Sequence, residues 1–198
     1  MPCVIVTTSA ENWSMEELSS VSIDDEKAGE TIVDYLIDHG HTKIAEIGAN
    51  LELSQTAILR HNGYLNSFKK HGITPDERYY EKARFSYDSA YHAMKKLLEK
   101  DIEITAVYAI SDVMAIGAIR AILDKGLRVP DDISITGFDG STLAEYYNPK
   151  IVSIRQPHKD MAAHSVELLF SMIDLHKGSC HEIIPFELTE GESVARIN

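Results

Sequence analysis

Several residue types that mark whole protein classes are scarce or absent here. Of 198 residues only two are cysteine, Cys3 and Cys180. They stand far apart in no metal or redox spacing, so a disulfide framework is not indicated and a reducing compartment fits. Long hydrophobic runs are missing too. The first apolar stretch, 2–6, has no basic residue ahead of it, and nothing in the chain is long enough for export or membrane insertion. Positive charge is in deficit, with 19 Lys and Arg against 31 Asp and Glu and a formal charge of −12. A nucleic-acid duplex would be repelled unless a basic patch overcame that field. The closest basic pairs, Lys69 with Lys70 and Lys95 with Lys96, read as solvated helix faces. No Walker A run, complete GxGxxG, GxSxG elbow or HExxH occurs, and GFDG at 137–140 lacks the third glycine. The nine histidines form no short ligand pair on a helix face, and His39 and His41 flank Gly40 in a turn. No cofactor, no metal and no enzyme is indicated.

What is present is enough apolar residue, 44%, to bury a good core in one domain or two small lobes. The organising stretch is Thr105 to Asp139, TAVYAISDVMAIGAIRAILDKGLRVPDDISITGFD. Ala106 to Ala109 reads as a short buried strand, and Ser111 stands where a hydroxyl accepts the first free amides of a helix. Met114, Ile116, Ala118, Ile119, Ile122 and Leu123 are spaced for a buried face with a second patch that could meet another subunit. Gly126 ends that helix, Pro130 turns the chain, and Ile133 to Phe138 is a second strand. Asp112 and Asp139 then lie just past the carboxyl ends of neighbouring parallel strands, where open α/β sheets place ligands.

Along the rest of the chain, Val4 to Val6 reads as a buried strand that opens abruptly, which predicts further residues upstream, and Thr7 to Ser20 reads as a polar loop. Asp24 and Asp25 can cap a helix carrying Ala28, Ile32, Val33, Leu36 and Ile37, ended by Gly40. A strand at Ile44 to Ile47, a helix ending near Gly72, an extended run from Tyr79 to Phe85 and a helix from Ser86 to Leu98 continue the β, α alternation of a parallel sheet. GSTLAEYYNP at 140–149 reads as a loop and Ile151 to Ile154 as a strand. A helix over 158–176 follows, with closing strands at Ile183 to Leu188 and Val194 to Ile197.

Four segments carry a resemblance in the right order: DHGHTKIAEIG at 38–48, Arg60 with Gly63 and Tyr64, SDVMAIGAIRAILDKGLRVPDDISITGFD at 111–139, and PKIVSIRQPHKDMA at 149–162. Together they resemble the effector-binding core of the lac and gal repressor (LacI/GalR) family of bacterial transcriptional regulators. The resemblance implies an α/β fold of doubly wound parallel sheets, two-lobed and periplasmic-binding-protein-like (type I), with the first lobe incomplete. Residues 1–24 and 157–186 would be the remnant of the amino-side lobe, and 25–156 with 187–198 the carboxyl-side lobe. Crossings fall near Asp24, Gln156 and Phe186. Two further strand and helix units and a helix-turn-helix head would precede Pro2. The helix at 158–176 would then lose part of its sheet, which predicts exposed apolar surface or intermolecular pairing at the Val4 strand.

Sugar sites need planar, bidentate donors and acceptors for vicinal hydroxyls and an aromatic face for the ring. Arg60 is the foremost candidate, because a cation near a helix start gains nothing from the dipole and implies an acceptor elsewhere. The competing reading is a surface ion pair. Asp139 could hold two hydroxyls or pair with Arg60 when the site is empty, against the plainer reading of a turn aspartate. Of Ser111 and Asp112, one caps the helix while the other faces the cleft. By resemblance Ser111 is the ligand contact, leaving Asp112 as the capping and structural residue. Phe85 resembles the family's stacking aromatic, against a plain core reading. His158 stands where many relatives carry an aromatic, and Thr7, Thr56 and Gln156 take wall positions by the same resemblance. A homodimer with Ile116, Tyr146 and Tyr147 at the contact is also implied. YEKARFS at 80–86 resembles galactoside-responsive members, whereas Gly191 stands where the family usually has arginine.

The function these features imply is effector sensing for a DNA-binding regulator in the cytoplasm. A small sugar or related metabolite would be bound between two lobes, and operator DNA engaged only through the missing head. The alternatives are a periplasmic-type sugar-binding protein for transport or chemotaxis, and an α/β enzyme using Asp139 or His158 as acid or base.

Overall fold

A computed structural model describes residues 2–10, 18–174 and 178–197. Among them the chain divides into two compact units, one made of Met1–Asp25 with Gln156–Phe186 and the other of Glu26–Arg155 with Glu187–Asn198.

The smaller unit holds β1 (Cys3–Val6), β2 (Leu18–Ser22), α6 (His158–Asp174) and β8 (His181–Ile183). Its three strands pair in parallel in the order β1-β2-β8. The expected Val4 strand forms, but as a half-exposed edge rather than a buried strand. The expected loop over 7–20 is overturned at its end, where LSSVS makes a fully buried central strand. Ser19 and Ser20 can be buried there because each finds partners. Ser19 Oγ accepts from the Cys180 amide at 3.0 Å and contacts Met172 Sδ at 3.1 Å, while Ser20 Oγ accepts from the Ala10 amide at 3.1 Å. The 11–17 part of that loop and 175–176 of the expected last helix lie outside the described residues. On α6, Met161, Leu168 and Met172 are buried, whereas Val166, Phe170 and Ile173 are exposed.

The larger unit alternates strand and helix: α1 (Asp25–Asp38), β3 (Ile44–Gly48), α2 (Gln55–Lys70), β4 (Tyr80–Lys82), α3 (Tyr87–Glu99), β5 (Ala106–Ala109), α4 (Asp112–Asp124), β6 (Ser134–Asp139), α5 (Thr142–Tyr146), β7 (Val152–Arg155) and β9 (Glu187–Thr189). One sheet holds its strands in the order β4-β3-β5-β6-β7-β9. All neighbours are parallel except β9, which pairs antiparallel with β7. The helices begin where a hydroxyl can accept an amide: Ser54, Ser86, Ser111 and Ser141 each cap the helix that follows.

Three expectations are corrected here. The extended run from Tyr79 to Phe85 shrinks to the three residues of β4, behind a 3-10 turn over Glu77–Tyr79. The loop at 140–149 contains α5. The two closing strands are not as read: the run 183–188 is shared between β8 and β9, and 194–197 is not a strand. That tail is held instead by single bonds, from the Ala195 amide to Ser134 Oγ at 2.9 Å and from the Ile197 amide to the His39 carbonyl at 2.9 Å.

Candidate functional site

In the larger unit the strand order reverses between β3 and β5. The chain leaves β3, returns through β4 on one side, and places β5 on the other. A crevice at the carboxyl ends of the two strands is where such sheets bind ligands. Arg60 stands on the second turn of α2, the helix that follows β3. Its guanidinium reaches the segment that follows β5: Nη1 donates to the Ile110 carbonyl at 2.5 Å. The group lies flat against the sheet, with Cζ 3.5 Å from the Phe138 ring centroid. Nη1 is also 3.6 Å from Asp139 Oδ1 at the end of β6, a contact too long for a direct hydrogen bond. Arg60 is only 3% exposed and Asp139 is open to solvent on one side. The expected pairing of these two groups is therefore present, and it is loose. The surface ion-pair reading of Arg60 is overturned by its burial.

Backbone geometry fixes both ends of this pair. α1 and α2 touch through glycines: a Cβ on Gly63 would stand 2.3 Å from the Glu26 carbonyl oxygen, and one on Gly29 2.7 Å from that of Arg60. The Arg60, Gly63, Tyr64 motif is thus a buried cation, the notch that lets its helix dock, and a core ring. Asp139 has φ of 109°, a conformation that suits glycine and strains any other residue.

Beside the pair, the expected division of labour between Ser111 and Asp112 is corrected. Ser111 is the cap, its Oγ accepting from the Met114 amide at 3.3 Å. Asp112 caps nothing in its own helix. Its carboxylate accepts from Ser153 Oγ and from the Ser141 amide, both at 2.6 Å, tying α4 to β7 and α5. Burial pushes the Asp112 carboxyl up from its ordinary value, and the hydrogen bonds from Ser153 and Ser141 offset part of that rise.

Thr56 sits in the first turn of α2, after β3. Phe85 lies between β4 and α3 and is 49% exposed, which overturns its core reading. Thr56, Phe85 and Ser111 thus follow β3, β4 and β5, and Asp139 ends β6, so the four stand at the same ends of four adjacent parallel strands. Thr7, Gln156 and His158 belong to the smaller unit: Thr7 is exposed with φ of 72°, Gln156 is buried, and His158 is exposed at the start of α6. Ile116 is half-buried on α4, Tyr146 is 82% exposed on α5, and Tyr147 is half-buried just after it.

Sequence reasoning missed Phe138, the shelf under the guanidinium, although its place beside Asp139 in the strand was a signal. It also missed Glu46, a carboxylate inside the apolar strand IAEIG, and its partner His61. At Gly191 a Cβ would stand 2.5 Å from the Lys150 carbonyl oxygen, so the packing leaves no room for the arginine expected there. Among the described residues no group of three His, Cys, Asp or Glu side chains could hold a metal, and no helix is long and apolar enough to cross a membrane.

Comparison with known proteins gives one coherent result. The family model described as periplasmic binding protein-like domain matches residues 33–194. The HTH-type transcriptional regulator MalR of Clostridium butyricum is 41% identical over 179 residues, 90% of this chain and 53% of that protein. The HTH-type transcriptional repressor PurR of Histophilus somni is 37% identical over 150 residues, 76% of this chain and 44% of its own length. Among solved structures, the transcriptional regulator CelR in complex with cellobiose superposes with a TM-score of 0.88 at 30% identity, covering 96% of this chain and 58% of that one. The chain spans about half the length of the curated relatives it matches. These relatives are regulators, not enzymes.

Proposed function

The chain belongs to the periplasmic binding protein-like domain family, and from that premise we propose that it is the effector-sensing part of a LacI/GalR-type transcriptional regulator. The ligand is a small sugar or related metabolite, as the cellobiose complex of a relative suggests. The observation that carries the reading is the loose Arg60 and Asp139 pair at the β3 and β5 switch point. A desolvated guanidinium held on an aromatic shelf, with a carboxylate 3.6 Å away, sets a planar donor beside an acceptor, the arrangement that two neighbouring hydroxyls need. Phe85 supplies an exposed ring face, and Ser111 and Thr56 supply further polar contacts. The regulator relatives support binding without turnover.

The sensing mechanism is a shift between two conformations with different ligand affinity, since equal affinity would move nothing. Operator DNA would be engaged through a helix-turn-helix head outside these 198 residues, in the cytoplasm. The regulator relatives favour this over delivery to a transporter. A homodimer joins through the α4 and α5 surface that includes Ile116, Tyr146 and Tyr147.

The test is a melting-temperature panel of sugars and nucleosides, because a ligand that binds only the folded state raises the midpoint. Arg60→Ala is expected to abolish the response of whichever compound stabilises the parent chain. Arg60→Lys keeps the charge but not the fork and should retain only part of it. An undiminished response in a folded Arg60→Ala protein would refute the site.

A further inference from the structure

On the larger unit, away from the Arg60 guanidinium, lies a cavity of about 580 Å³, in the size range of small-ligand sites. Three aromatic rings form its wall, and each is held in place. The Tyr64 hydroxyl donates to the Ile44 carbonyl at 2.9 Å, and the Tyr80 hydroxyl to the Ala49 carbonyl at 2.5 Å. His61 lies 2.7 Å through Nδ1 from Glu46 Oε2, stacks on Tyr64 at 6.1 Å and meets Tyr80 edge-on at 5.2 Å. Leu51, Leu65 and Pro75 complete the apolar lining. Tyr64 is 4% exposed and backs the wall, with Phe68 packed 4.2 Å from it, so that His61 and Tyr80, their Nδ1 and hydroxyl committed to protein partners, offer an incoming molecule mainly their faces and edges.

Charge decides what kind of molecule fits. The lining contains two carboxylates, Asp76 and Glu77, and neither lysine nor arginine. Asp76 is engaged by Arg78 in a close two-point pair, leaving exposed Glu77 as the carboxylate turned to the solvent side. Behind His61 stands Glu46, 1% exposed, whose Oε1 has no hydrogen-bond partner among the described residues. An anion would meet an acidic surround, and a neutral ring would gain stacking alone. An ammonium would gain attraction from the Glu77 carboxylate and from the ring faces.

We propose that this cavity is a second ligand site, selective for small ring-bearing amines in their ammonium form. Its occupant and the effector use different faces of α2, since Arg60 and His61 are consecutive on that helix and reach β5 and β3 respectively. The proposal does not rest on the nature of the effector.

The experiment is calorimetric and NMR titration of the 198-residue chain with phenethylamine, phenethyl alcohol and phenylacetate, three molecules of similar shape and different charge. The amine is expected to bind at one site per chain. The alcohol should bind at least about three-fold more weakly, the scale of one part-exposed ion pair, and the acid more weakly still. Glu77→Lys, at an exposed position, should weaken the amine by at least the same factor and leave any response to sugar untouched. Leu51→Trp should fill the cavity and remove binding; if it does not fold, Glu77→Lys alone decides. Equal affinity for the three probes, amine binding unchanged by Glu77→Lys, or no amine binding up to about 10 mM would each overturn the proposal.

Discussion

At Asp139 the chain keeps a carboxylate where the backbone would favour glycine, with φ of 109°. Holding a non-glycine residue there costs about 1–3 kcal/mol. Glycine would remove that strain and add about 0.5–1 kcal/mol of unfolded-state entropy cost. The ion pair it would delete is long and partly exposed, worth at most about 1 kcal/mol, and Arg60 would keep the Ile110 carbonyl and the Phe138 ring. Asp139→Gly is therefore expected to melt no lower than the parent chain while losing the response to sugar. A large drop in melting temperature would show that Asp139 is structural. From the sequence, Arg60 and Asp139 were legible as partners because a strand end and a helix start are fixed by pattern. Their distance and the strain at Asp139 were not, since neither follows from periodicity.

Among the elements, α2 depends on two contacts of opposite kind. Against α1 it needs the absence of a side chain at Gly63, where a methyl would collide with the Glu26 carbonyl. Alanine gains about 1 kcal/mol of helix propensity over glycine, but overpacking against backbone costs about 1–3 kcal/mol. Gly63→Ala should therefore destabilise in denaturant unfolding, and a stabilised variant would mean the helices can part freely. Against β3 the helix needs His61 on buried Glu46. Burial disfavours charge on His61, yet the hydrogen bond and charge of Glu46 outweigh it and raise the imidazole above its ordinary 6.5. Burial also raises the Glu46 carboxyl, against the pull of His61.

A raised folded value gives stability that is present at low pH and lost as pH climbs through it. Melting temperature should thus fall as pH rises above about 6.5, with a flatter profile in Glu46→Gln. His61→Ala, which strands a buried carboxylate, should cost about 3 kcal/mol. The sequence could not show this link, because a glutamate inside an apolar strand matches no pattern and its partner lies a helix away. For the same reason β2 was invisible: its serines look like loop, and what makes them a strand is the pairing with β1 and β8 and contacts to Met172, Cys180, His181 and Ala10. The strand, helix, strand unit around α4 was legible, since cap, apolar spacing and terminal glycine all agree there.

For the whole molecule, the charge of −12 sets what the isolated chain can do. Duplex DNA should not be retarded by it in a gel at physiological salt, and retardation would relocate DNA binding to these residues. The proposed dimer has its most exposed aromatic at Tyr146. Tyr146→Asp is expected to yield monomers by light scattering without changing melting of the monomer, and a dimer that persists would place the contact elsewhere.

The crossing that divides β8 from β9 has a consequence in time. On a ribosome, β7 is finished at Arg155, but the strand that covers its edge begins at Glu187. The intervening 31 residues (186 − 155) belong to the other unit, and at roughly 5–20 residues per second they take roughly 2–6 s to make. Ser193, the buried residue that takes the Val152 amide and donates to the Ile135 carbonyl, comes later still. Through that interval the nascent sheet carries an open edge between β7 and solvent, the kind of edge that neighbouring nascent chains can pair with. The larger unit, begun at Glu26, therefore closes its sheet only after the smaller unit's last segment has been made, and crowding of ribosomes on one message should lower its yield.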